Sequence, residues 1–130
     1  MSTSADQAMS RCSTTAVILS YNSEKKISKC LSALVANSPS NPDPERIIVV
    51  DNGSTDDSCT LIQSFIKHHP HIELISLDTN HGTTYSRNKA LDLIDTETVL
   101  ILDSDAYMSP AALTILRERL AVADNVGIVA

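Results

Sequence analysis

Two carboxylates, Asp103 and Asp105, close the apolar run "VLILDSDAYM" with only Ser104 between them. Like charges that close repel unless a cation lies between them or one carboxyl keeps its proton. Another acid, Asp51, ends the run "RIIVVD" and is followed at once by Asn52 and Gly53. A third apolar run, "AVILSYN", finishes in Ser20, Tyr21 and Asn22. Oxygen ligands gathered in this way suit a hard divalent cation, Mn²⁺ or Mg²⁺, which often completes its shell with substrate phosphates. Taken one at a time, Asp51 and Asp103 could equally cap the turns that follow them; a shared rim favours the cation.

What must position these residues is a set of short branched segments. Residues 16–21, 46–51, 72–77 and 98–103 read as buried parallel strands, with 126–130 as a fifth candidate. The run before Asp103 offers water no polar residue on either side, so burial on both faces is expected of it. Helical patterns lie between the strands. In 23–37, Ile27, Cys30, Leu31, Leu34 and Val35 share one face, and Ser23 is a candidate N-cap. In 54–70, Cys59, Ile62, Phe65 and Ile66 do the same, with Ser54 or Thr55 as cap, acids to favour the helix dipole and Pro70 as terminator. Residues 83–94 form a weaker pattern with Leu91 and Ile94 inward. In 109–123, Ser109 caps, Pro110 takes the first position, and Leu113, Leu116 and Leu120 align. Strict alternation of this kind predicts an α/β fold: a Rossmann-like, open, mostly parallel sheet with helices on both faces. Ligands of such sheets bind beyond the carboxyl ends of the strands, where the acids collect.

Composition narrows the function further. The 130 residues make one domain with a core built mainly of Leu, Ile, Val and Ala, since aromatics are only 3%. A net charge of −6 without a basic stripe argues against a nucleic-acid partner. No apolar run reaches the roughly 18 residues of a membrane segment. Residues 1–14 read as a flexible polar tail without a signal-peptide pattern. Cys12, Cys30 and Cys59 are odd in number and widely spaced, which points to reduced thiols and a cytoplasmic protein. His68, His69 and His71 fall at a helix end on the rim opposite the acids and read as solvated. His81, beside Gly82, is nearer the site.

Other enzymes end a strand in two acids. A haloacid-dehalogenase-like phosphatase opens its fold with Asp-x-Asp, whereas here only 25 residues follow Asp105 and none is a lysine. A phosphoacceptor receiver domain, with Asp51 as acceptor, would want an acidic pair where Ser20-Tyr21-Asn22 stands. Neither G-x-G-x-x-G nor a P-loop is present.

Four stretches together, "AVILSYN", "IIVVDNGSTDDS", "NHGTTYSRNKAL" and "VLILDSDA", resemble the nucleotide-binding half of inverting family 2 glycosyltransferases with the GT-A fold. The resemblance covers residues 15 to 130. It implies that Ser20, Tyr21 and Asn22 line a base pocket and that Asp51 accepts a hydrogen bond from the base, favouring a UDP- or dTDP-sugar. Asn52 and Gly53 would shape the adjoining turn, Gly53 with positive φ. Arg87 would face the diphosphate with a forked donor. Asp103 and Ser104 would belong to the nucleotide site, and Asp105 with Asp103 would hold Mn²⁺ or Mg²⁺. The family's general base comes from a downstream half, and no residue here matches it. The expectation is therefore a donor-binding domain over 15–130, with the acceptor half absent, inactive alone and prone to pair as a homodimer through uncovered apolar surface. The alternative is a non-catalytic nucleotide or nucleotide-sugar binding module.

Overall fold

The structure, a computed structural model, describes residues 12–36, 42–109, 111–122 and 124–130. Four strands alternate with four helices: β1 (Thr14–Ser20), α1 (Ile27–Leu34), β2 (Arg46–Asp51), α2 (Ser58–His68), β3 (Ile72–Ser76), α3 (Thr83–Leu91), β4 (Thr98–Asp103) and α4 (Ala112–Leu120). The sheet runs β3-β2-β1-β4, and every neighbouring pair is parallel. Val- and Ile-rich strands can be apolar on both sides because helices cover both faces. On one face Ile18, Ile47 and Val49 pack with Ile27 and Leu31 of α1 and Ile62 of α2. On the other, Val17, Ile48 and Val50 pack with Ala90 of α3, and Ile94 closes the edge of that cluster. Each of these fully buried side chains contributes about 1.5–3 kcal/mol relative to exposure.

Several expectations change on contact with the fold. β4 is an edge strand buried on one side only: Leu100 and Leu102 face the core, while Val99 and Ile101 are 38% and 50% exposed. Its apolar run cannot distinguish an edge from a centre, because the distinction depends on neighbours and not on its own residues. Residues 126–130 form no strand, and Ile128 is 89% exposed. Gly127 weakens that run as a strand, and it makes no ladder with β4. Leu91 is exposed; α3 buries Ser86 and Ala90 instead, because small side chains let the helix lie close to β1 and β2.

The caps also differ. Ser23 opens the turn into α1 through its carbonyl, which accepts the amides of Lys26 and Ile27. At α2 the amide of Ser58 is taken by Asp56 Oδ1 at 3.0 Å, not by Ser54 or Thr55, and no acid lies within the first turn. The Ser109 carbonyl accepts the amide of Ala112 at the start of α4. Pro110, residues 1–11 of the expected tail and residues 37–41 lie outside the described residues. Cys12 is buried, and β1 already includes Thr14.

One core residue went unread. Arg117 of α4 is 4% exposed, and it donates to Thr14 Oγ1 through Nη2 at 2.7 Å and to Asp43 Oδ2 through Nη1 at 2.7 Å. A buried cation that is both paired and hydrogen-bonded ties α4 to the amino end of β1.

Candidate functional site

Strand register sets the geometry of the site. Ser20 lies opposite Asp51, and Leu19 lies opposite Asp103. With neighbouring strands about 4.8 Å apart, the ends of β2, β1 and β4 form a rim about 10 Å wide. The sheet grows from β1 toward β3 on one side and returns to add β4 on the other, so the rim between β1 and β4 is its topological switch point.

Asp51 is buried and spends its carboxylate on the next turn: Ser54 donates its amide to Oδ2 at 2.9 Å and its hydroxyl to Oδ1 at 2.6 Å. Each oxygen keeps capacity for a further donor. The neighbouring Ser20 is fully buried; its carbonyl accepts the amide of Asn52 at 2.8 Å, and its hydroxyl has no partner among the described residues. Tyr21 lies exposed at the rim. Asn22 adopts φ +47° and accepts the Thr55 amide at 2.9 Å, while its own amide donates to Ser54 Oγ at 2.8 Å. The turns after β1 and β2 are thereby stitched into one unit.

Asn52 works on the other side of that unit. Its buried amide donates to Asn80 Oδ1 at 2.9 Å and accepts the His81 amide at 2.9 Å. The Gly82 carbonyl in turn accepts Ser86 Oγ at 2.8 Å, which fixes the first turn of α3 and with it Arg87. Gly53 has φ +79°, and a Cβ there would lie 2.5 Å from the backbone carbon of Thr79. Only glycine fits that close approach. His81 is occupied within its own loop, bonded to Asp78 at 3.1 Å and Thr79 at 3.2 Å with its ring 4.6 Å from that of Tyr85. The hydrogen bond from His81 holds the Asp78 carboxyl below the usual carboxylate range.

At the end of β4, the hydroxyls of Ser104 and Ser23 bond at 2.7 Å, and the Asp103 carbonyl accepts Ala106 N at 3.0 Å. Ser104 thus anchors the turn while both carboxylates point outward, exposed. Beneath it lies Cys30, whose thiol donates to the Asp103 carbonyl at 3.9 Å. Burial, with the Asp105 charge adding to it, pushes that thiol up to about 11, so it stays protonated. Arg87 reaches across from α3: Nη2 donates to Asp103 Oδ1 at 3.0 Å, while Nε is buried without an acceptor among the described residues. A groove of about 570 Å³ opens beside the turn, with Tyr21, Asn22, Lys26, Asp56, Asp103 and Asp105 among its walls.

The structure therefore gathers Ser20, Tyr21, Asn22, Asp51, Asn52, Gly53, Arg87, Asp103, Ser104 and Asp105 along one rim. His68, His69 and His71 lie at the other end, where α2 stops and β3 begins. Three groups went unread: Ser54 as partner of Asp51, Ser23 as anchor of Ser104, and Asp56 as acceptor of the Ser58 amide and hydroxyl at the start of α2. The first was legible in "DNGS", because an Asp three residues before a Ser amide is a turn-capping spacing. Among the described residues no three His, Cys, Asp or Glu side chains could hold a metal by themselves. A cation at this rim would have two protein carboxylates and would draw its remaining ligands from substrate and water. That donor set of hard oxygens fits Mn²⁺ or Mg²⁺.

Fold and rim together define a class: an α/β domain that gathers a pair of carboxylates and an arginine at the rim of a parallel sheet. The model of Glycosyl transferase family 2 matches residues 15–130, and the chain belongs to that family. Its sheet is the GT-A nucleotide-binding half, and the phosphatase and receiver alternatives fall with that assignment. Poly(ribitol-phosphate) beta-glucosyltransferase of Bacillus spizizenii is 38% identical over 98 residues, which are 75% of this chain and 15% of that protein. The mannosyltransferase PcManGT of Pyrobaculum calidifontis, solved with GDP-Man and Mn²⁺, aligns with TM-score 0.76 at 25% identity, over 85% of this chain and 33% of its own. S. aureus TarS 1-349 in complex with UDP aligns with TM-score 0.72 at 25% identity, over 91% of this chain and 38% of its own. The chain thus spans 15% of that curated relative and 33–38% of those two solved chains. Among the described residues no helix is long and apolar enough to cross a membrane.

Proposed function

We propose that this chain binds the nucleoside diphosphate sugar donor of a sugar-transfer reaction, with a divalent cation held by Asp105 and Asp103. The observation that carries this reading is the register that ends β2, β1 and β4 at one rim, with Ser20 opposite Asp51 and Leu19 opposite Asp103. Two solved relatives hold UDP, or GDP-Man with Mn²⁺, and a curated relative is named a glucosyltransferase.

In this reading the base sits against Tyr21, with the free hydroxyl of Ser20 and the remaining acceptor capacity of Asp51 directed at its polar edge. A carboxylate accepts the ring N–H of uracil or thymine, which cytosine lacks; the preference for a UDP- or dTDP-sugar over a guanosine one rests on the family resemblance at Asp51. Asn52 and Gly53 hold the two loops together and so place Arg87, whose fork takes phosphate oxygens. Asp103 and Asp105 would hold Mn²⁺ or Mg²⁺, and when bound that cation would stabilise the charge developing on the departing diphosphate. Ser104 keeps the two carboxylates aimed outward. Transfer would proceed with inversion to an acceptor hydroxyl, and this reading assigns the general base to no residue of the chain.

The test is selectivity. In the presence of Mn²⁺, UDP should bind more tightly than CDP, whose ring N3 carries no proton, by about tenfold, the value of one good hydrogen bond to a charged group. Asp51→Asn, which keeps a turn-capping side chain, should erase that preference. Equal binding of both nucleotides by the native chain contradicts the role given to Asp51.

A further inference from the structure

Arg87 and Asp103 are the two groups that the proposed function asks to bind phosphate and cation, yet here they bind each other. Nη2 of Arg87 donates to Asp103 Oδ1 at 3.0 Å, with the side chains 34% and 68% exposed. The pairing leaves Arg87 half satisfied. Its Nε is buried and has no acceptor among the described residues, so one arm of the fork makes a bond while the buried part of the guanidinium makes none there. A buried donor without a partner costs about 1–3 kcal/mol, which keeps the closed arrangement from being deeply stable. Asp105, two residues on, is exposed and has no such ion pair among the described residues.

Resting on the donor-site reading, we infer that the Arg87–Asp103 pair is a latch that couples cation and diphosphate binding. Asp103 can join a cation only by releasing Arg87, and Arg87 can offer its whole fork to phosphate only by releasing Asp103. Either ligand alone must open the pair; together they open it once. The latch therefore lowers the affinity for each ligand singly and makes each tighten the other by the same factor. An ion pair this exposed is worth about 1 kcal/mol or less, so its share of the coupling is about two- to fivefold. The direct bridge between cation and phosphate comes on top of that share. Asn52 contributes at a distance, since the Asn52–Asn80–Gly82 bonds fix the start of α3 and hold Arg87 within reach of Asp103.

The experiment measures Mn²⁺ binding to the full chain from the loss of the free Mn²⁺ paramagnetic-resonance signal, without and with UDP, for the native protein and Arg87→Gln. The latch predicts that Arg87→Gln binds Mn²⁺ alone about two- to fivefold more tightly than the native chain, and that UDP sharpens its Mn²⁺ affinity by correspondingly less. Equal or weaker Mn²⁺ binding by the variant overturns the latch, whatever UDP does. Native binding of UDP with Mn²⁺ in that case leaves the donor-site reading standing. A second measurement avoids the variant's own folding: the Arg87 Nε–H resonance of the native protein, followed during a Mg²⁺ titration. It should move as Asp103 is drawn away; a resonance unmoved at saturating Mg²⁺ would also overturn the proposal.

Discussion

Ser104 Oγ and Ser23 Oγ stand 2.7 Å apart across 81 residues of sequence. This bond joins the turn after β4 to the loop after β1, the two walls of the switch point. Ser23 is buried and also receives support from Ser58, whose hydroxyl accepts the Ser23 amide at 2.8 Å. Replacing Ser104 with alanine should cost about 1 kcal/mol of stability, the worth of one internal hydrogen bond. It should also weaken UDP binding in the presence of Mn²⁺ by a fewfold, because the carboxylates lose their anchor. Urea denaturation and calorimetry of the same variant check both; unchanged affinity would limit the serine pair to a purely structural role.

Gly53 admits no side chain. A Cβ would sit 2.5 Å from the Thr79 carbonyl carbon at a residue with φ +79°. Gly53→Ala should therefore destabilise the protein by about 2 kcal/mol or more, combining backbone strain with displacement of the 79–80 loop. Gly82, at φ +82° and ψ +167°, has open space around its Cβ direction, so Gly82→Ala should cost only the backbone strain, about 1–3 kcal/mol, without the clash added at Gly53. Thermal melts of the two variants side by side give the comparison, and a larger loss at Gly82 would contradict it.

Arg117 should prove more costly to remove than any exposed charge. Arg117→Met keeps the apolar stem but removes the guanidinium donors to Thr14 Oγ1 and the Asp43 carboxylate. Asp43 is about a third exposed, so water compensates in part. The expected loss is about 2–4 kcal/mol, measured by chemical denaturation. The exposed pair of Arg46 with Asp95 serves as the control, since Asp95→Asn should change stability by about 0.5 kcal/mol or less.

His71 gives the folded protein a pH dependence unrelated to the rim. Burial, and then the nearby charge of His69, hold its imidazole below the ordinary histidine value. The unfolded chain thus takes up that proton at higher pH than the folded one. Above the unfolded value, about 6.5, His71 makes no difference; stability falls as pH drops through it and levels off below the folded value. His71→Gln should flatten the stability profile as pH falls below about 6.5. An unaltered slope in the variant would assign the dependence to other groups.

Much of this was legible because it depends on residues acting through local pattern. β2 and β4 begin and end where their apolar runs do, and Ile27, Cys30, Leu31 and Leu34 bury the face that their spacing announced. The clustering of Asp51 and Asp103 at one rim followed from strand ends in an alternating α/β chain. What stayed hidden depends on pairing at long range. Nothing near Arg117 says that it meets Thr14, 103 residues away, and an arginine on a helix ordinarily reads as solvated. Nothing within "TVLILD" says that β4 is an edge, and α3 has no apolar stripe because its contact with the sheet runs through Ala90 and Ser86. Ser23 illustrates the same limit, since its type suggested a helix cap and its side chain reaches Ser104 instead.

The most direct test of the account is calorimetric titration of the chain with UDP, with and without Mn²⁺, beside Asp105→Ala. Asp105 is exposed, so its removal should leave the fold intact and isolate the cation's part in binding. The account predicts UDP binding that Mn²⁺ strengthens by about tenfold or more, and that loses this dependence in the variant. Binding of UDP by neither protein under either condition, with both folded, would contradict the assignment of this rim as a donor site.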